Sequence, residues 1–107
     1  MNKESRIIGL IGIATKAGKV TFGTEAVKDV VSMNKAKLVI IASDASNRTI
    51  DNFKFMCNKK QIPIAIFGTI EMLSKAIGKP NKAVISIKDN NLSEEIYKII
   101  CGGEAIG

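Results

Sequence analysis

Three short apolar runs constrain this chain more than any other feature: Lys37-Leu38-Val39-Ile40-Ile41-Ala42, Ile62-Pro63-Ile64-Ala65-Ile66-Phe67 and Ala83-Val84-Ile85-Ser86-Ile87. Each is strand-length, rich in β-branched residues and bounded by polar or turn-forming residues, which reads as a strand buried on both faces. Between the runs, apolar residues recur at helical spacing. Strands separated by helices predict an α/β fold, a three-layer α/β/α sandwich with a partly parallel central sheet. Leu38, Val39, Ile40, Ile64, Ile66, Val84 and Ile85 are expected in its central strands.

The intervening segments read as follows. Residues 3–16 are apolar on nearly all sides, as in a helix packed inside a domain, with Gly9 and Gly12 admitting close neighbours and Gly18 ending the helix. Lys19-Val20-Thr21-Phe22 alternates as a short strand. Gly23 and Thr24 open a second helix, with Thr24 the expected cap and Glu25 in the positive first turn. Ala26, Val27, Val30 and Val31 form its apolar side. A loop at residues 43–47 leads into a third helix carrying Ile50, Phe53, Met56 and Cys57 on one side. Thr69 caps a fourth that holds Ile70, Leu73 and Ile77 and stops at Gly78. The last helix, with Ile96, Ile99 and Ile100, is expected to start at Asn91 in a capping box with Glu94. Residues 1–107 are expected to form one domain, its core spanning about 3–101, with a frayed tail at 102–107.

Several function classes lose support on composition. The chain has no histidine, so the commonest general base and metal ligand are both missing. Cys57 and Cys101 lack CxxC spacing and read as buried, reduced thiols rather than a disulfide or metal site. Gly12 to Lys19 misses the phosphate-loop pattern: five residues separate the glycines, Val20 follows the lysine, and a helix precedes it. No nucleophile has a base nearby in sequence. A non-enzyme without metal or cofactor is expected. The apolar stretch at residues 7–14 is too short to cross a bilayer, so a cytoplasmic protein with no membrane partner is expected. No residue pattern marks an oligomer interface, and a monomer is expected. With 16 Lys+Arg against 10 Asp+Glu, the net charge of +6 favours an anionic partner.

The Gly23-Thr24-Glu25 helix start concentrates that charge. A helix N-terminus offers unpaired N–H groups to a phosphate, Lys16 and Lys19 precede it, and Lys28 lies one turn in. Glu25 adds an acceptor for base amino groups. An ordinary capped helix with solvated charges has the same residues, so the motif alone leaves both readings open.

Leu10 through Gly23 and Lys35 through Ser46 together resemble the ribosomal-protein family of L-seven-Ae and L-thirty-e, and Thr15 to Lys19, Gly23 and Ala76-Ile77-Gly78-Lys79 resemble its small bacterial YlxQ branch. The resemblance runs over roughly residues 6–100. It implies a four-stranded mixed sheet and binding of structured, kink-turn RNA on or beside the ribosome. Such proteins read sheared G·A pairs with Asn-Glu-x-x-Lys at the start of the second helix, and a loop before the last strand covers a flipped-out nucleotide. Ungapped, that signature falls on Glu25, Ala26 and Asp29, none of which matches; shifted by one it falls on Thr24, Glu25 and Lys28. The implied RNA site comprises Lys16, Lys19, Gly23, Thr24, Glu25 and Lys28, closed by Lys79 and Lys82 from the loop at 78–82. The alternatives are an assembly or protein-interaction factor that keeps the fold without specific kink-turn reading, and a recognition partner of a separate RNA-modifying enzyme.

Overall fold

A computed structural model describes residues 2–102; the expected tail beyond Gly102 lies outside the described residues. Nine elements follow in order: α1 (Lys3–Lys16), β1 (Val20–Phe22), α2 (Thr24–Ser32), β2 (Leu38–Ile41), α3 (Asn47–Lys60), β3 (Ile64–Ile66), α4 (Ile70–Ile77), β4 (Val84–Ile87) and α5 (Asn90–Ile100). The strands make one four-stranded mixed sheet in the order β1-β4-β2-β3. β4 runs antiparallel to both neighbours, while β2 and β3 are parallel, joined by α3 as a crossover needs.

Alternation along the central strands divides the core in two. Leu38, Ile40, Ile85 and Ile87 face α1, α4 and α5, where they meet Ile11, Leu73 and Ile96. Val39, Ile41 and Val84 face α2 and α3, meeting Val27, Val31, Phe53 and Cys57. The expected three-layer sandwich is thus present, and β2 and β4 are buried along their whole length.

β3 departs from expectation. Ile64 is half-buried and Ile66 is 39% exposed, because β3 pairs only with β2 and forms an edge of the sheet. An apolar run cannot distinguish an edge strand from a central one. Pro63 sits just before β3, where its missing N–H costs nothing and its carbonyl still accepts from Val39 N at 3.0 Å.

Several helix expectations need correction. α1 buries one stripe, Ile7, Ile11 and Ala14, while Ile13 is 57% exposed, so it coats the sheet rather than lying inside the domain. Gly12 approaches a neighbour, the Ala76 carbonyl, but Gly9 faces open space. In α2, Ala26 is exposed and only Val27 and Val31 are fully buried. α5 starts two residues earlier than expected: Asp89, not Asn91, is its cap, accepting from Leu92 N at 2.8 Å.

Other signals hold. Gly18 adopts φ 72°, and Lys19 N and Gly18 N close back onto the Ala14 and Thr15 carbonyls, ending α1. Thr69 caps α4 through Met72 N, and Gly78 ends it at φ 73°. Both cysteines are free. Cys57 is buried, and burial pushes its thiol up to about 11. Cys101, expected to be buried, is exposed just past the end of α5.

The layered core makes position in the sheet decisive for stability. Ile40→Ala, at a fully buried site on β2, should cost about 2–5 kcal/mol in urea denaturation. Ile66→Ala on the edge should cost clearly less. Equal losses at the two positions would contradict the assigned strand order.

Candidate nucleic-acid interface

One end of the sheet gathers the features expected of an anion site. β1 ends at Phe22 and the chain turns directly into α2 at Gly23, whose N–H donates to the Val84 carbonyl at 3.0 Å. That bond continues the β1–β4 ladder and sets the start of α2 beside the loop at 78–82, which feeds β4. Gly23, rather than the expected Thr24, is the cap of α2 and makes no side-chain capping bond. Its φ of 91° and ψ of 147° lie in a region that is essentially glycine-only. Thr24 instead occupies the first helical position. The first N–H groups of α2 are therefore left open at the surface.

The loop supplies the cations. Ser74, buried in α4, accepts from Lys82 N at 2.9 Å and holds the loop against the helix. Asn81 makes the turn in the left-handed region at φ 53°. Lys79 Nζ and Lys82 Nζ both stand over the Phe22 ring, at 5.8 and 5.6 Å from its centroid. A Cβ placed on Gly23 would lie 3.9 Å from Lys82 Nζ, so the loop and the helix start are in contact. The ring attracts each ammonium and leaves its N–H groups free for an anion. Phe22 was not among the sequence candidates; an aromatic directly before a glycine at a strand end is the signal that could have singled it out.

On α2 itself, Glu25 and Lys28 form an ion pair at 3.9 Å, with the Glu25 side chain 90% exposed. So exposed a pair contributes little to stability, and both groups are available to a ligand. Lys16 and Lys19 do not join this group. They stand at the other end of β1, where Lys19 O accepts from Lys88 N at 2.8 Å. Four residue steps through the extended β1 place Lys19 about 13 Å from Gly23. Closeness in sequence to the helix start misleads here because an extended strand intervenes.

Behind the loop lies an open cleft of about 670 Å³, lined by Asp44, Glu71, Ser74, Lys75, Lys79 and Asn81. Asp44 forms one wall and accepts from Ile70 N at 2.8 Å, tying the β2–α3 loop to the start of α4. Among the described residues, no cluster of Cys, Asp or Glu could hold a metal ion, and no helix is long and apolar enough to cross a membrane.

The model of the ribosomal protein L7Ae/L30e/S12e/Gadd45 family matches residues 5–97, nearly the whole described chain. The chain belongs to this family. Within the L7Ae-type relatives, RNA-binding protein YlxQ of Enterococcus faecium is 34% identical over 105 residues, covering 95% of this chain and 100% of that one. Large ribosomal subunit protein eL8 of Thermoplasma volcanium is 28% identical over 98 residues, covering 91% of this chain and 81% of its own. A solved structure, a protein with unknown function from Bacillus halodurans C, superposes with a TM-score of 0.88 at 34% identity, covering 92% of this chain and 99% of that one. The YlxQ-like branch expected from the sequence is the branch found.

The backbone of Gly23 offers a direct check on this geometry. Gly23→Ala should destabilise the protein by about 1–3 kcal/mol in chemical denaturation, since alanine is strained at that φ and ψ. A loss below about 0.5 kcal/mol, typical of neutral surface changes, would mean that the turn is not held as described.

Proposed function

We propose that this protein is a non-catalytic RNA-binding protein that works on or beside the ribosome and takes structured, kink-turn-like RNA at the Gly23 end of its sheet. The observation that carries the proposal is the junction of an open helix N-terminus with two lysines, Lys79 and Lys82, held over one aromatic ring. Cation–π attraction accounts for each ammonium over the ring, but two like charges on one ring repel each other, and a phosphate between them offsets that repulsion. Family membership and two relatives, one an RNA-binding protein and one a ribosomal protein, support the same reading.

In this reading the residues divide by task. Lys28, Lys79 and Lys82 contact phosphates. Gly23 and Thr24 present backbone N–H groups, with Gly23 letting the RNA backbone approach. Glu25 accepts from base amino groups and acts on specificity. The cleft behind the loop has room for an extruded base. Ala26 and Asp29 stand exposed where the family signature has Glu and Lys, so fewer groups read base edges and phosphate contact carries more of the affinity.

The test is a binding titration against a short kink-turn hairpin and a simple duplex of equal length, across a range of salt. Lys79→Ala with Lys82→Ala should weaken binding to both RNAs and lower the salt slope by about two. Glu25→Ala should reduce the preference for the kink-turn by roughly tenfold. Unchanged affinity in the double lysine variant would place the site elsewhere. Binding without any kink-turn preference in the unmodified protein would favour an assembly factor that keeps the fold without specific reading.

A further inference from the structure

Lys19 and Lys88 stand directly opposite each other where the β1–β4 ladder ends, joined by the Lys88 N to Lys19 O bond at 2.8 Å. On the other side of β4, Lys37 N donates to the Ile87 carbonyl at 2.9 Å. Three exposed lysines thus sit side by side across β1, β4 and β2, at the sheet end away from Gly23. Lys19 N also closes onto Ala14 O at 2.9 Å, which brings Lys16, in the last turn of α1, alongside.

Among the described residues, no ion pair joins a carboxylate to this row. Asp89 keeps its charge but turns its carboxylate to cap α5 through Leu92 N at 2.8 Å. Glu94 lines a small hollow together with Lys37, yet no ion pair joins them among the described residues. Lys16 has a local role, since a cation in the last turn of a helix offsets its dipole. Lys19 and Lys88 have none: like charges directly opposite on paired strands oppose folding. A ligand that bridges them removes that opposition.

We propose that Lys16, Lys19, Lys88 and Lys37 form a second phosphate-contact site, which holds a flank of the RNA outside the Gly23 end. The inference rests on the RNA-binding reading above. The sites lie about 13 Å apart along β1, an edge strand. That exceeds the Debye length of about 8 Å at physiological salt, so the row acts by direct contact and not by strengthening the field at the first site. An RNA confined to the Gly23 end does not reach it; one whose stem continues along β1 does.

The experiment compares two hairpins that share one kink-turn core, one with minimal stems and one with both stems lengthened by a helical turn. Lys19→Ala with Lys88→Ala should weaken binding of the long RNA roughly tenfold near 0.1 M salt and lower its salt slope by about two. It should leave the short RNA unaffected. Its melting temperature should hold or rise, because a repulsive pair has been removed. Equal affinity of wild type and variant for the long RNA overturns the proposal, as does an equal loss on both RNAs. A loss of the same size from Lys59→Ala with Lys60→Ala, on the last turn of α3, also overturns it, since the effect would then be general surface charge. If the unmodified protein binds neither hairpin, the RNA-binding reading itself fails. Binding of the short hairpin with no response of the long one to Lys19→Ala and Lys88→Ala removes only the second site.

Discussion

The pairing of β1 with β4 is the contact on which the rest of the molecule's proposed chemistry depends. β4 lies inside the sheet and draws its entry from the loop at 78–82. β1 ends in the turn at Gly23, and the Gly23 N–H to Val84 carbonyl bond at 3.0 Å locks the two together. Because every buried backbone donor in such a ladder needs its partner, the register cannot slip without exposing Ile85 and Ile87 and orphaning these groups. Two segments more than fifty residues apart in sequence are thereby fixed side by side.

That fixed junction determines what the surface can bind. The helix start brings N–H groups and a partial positive charge; the loop brings Lys79 and Lys82; Phe22 underlies both ammoniums. At the helix start Glu25 brings negative charge and is partnered by Lys28 at 3.9 Å, while Asp44 and Glu71 lie back in the cleft behind the loop. Small anions could be attracted to such a place, but several spaced donors suit a polyanion with phosphates at intervals. Hydrophobic burial elsewhere keeps the arrangement rigid: Leu73 and Ile77 anchor α4, and buried Ser74 anchors the loop to it.

Much of this was legible from the residues, and the exceptions have physical causes. Strand and helix positions followed from apolar spacing, and Thr69 and Gly78 marked the ends of α4 because their chemistry has few other uses there. Strand order was not legible, since Ile64 and Ile66 on an edge carry the same side chains as Ile40 at the centre. Asp89, Asn90 and Asn91 are all good caps, so composition alone could not choose among them. At the candidate site, the sequence points to Gly23, Thr24, Glu25, Lys28, Lys79 and Lys82, and the fold groups them at one end. Lys16 and Lys19 share the same sequence signal and lie at the other, because sequence distance says nothing of the direction in which a strand carries the chain. Lys88 carries no sequence signal of its own for the same reason: only the β1–β4 register sets it beside Lys19.

The central claim is that RNA sits on the Gly23 end of the sheet. Amide chemical shifts, followed residue by residue as a short-stemmed kink-turn hairpin is titrated in, test it most directly. The account predicts that the largest changes fall at Gly23, Thr24, Lys79, Asn81 and Lys82, with β3 and the exposed side of α3 unmoved. Changes centred on Phe55 and Ile66 instead, with the Gly23 end silent, would contradict it.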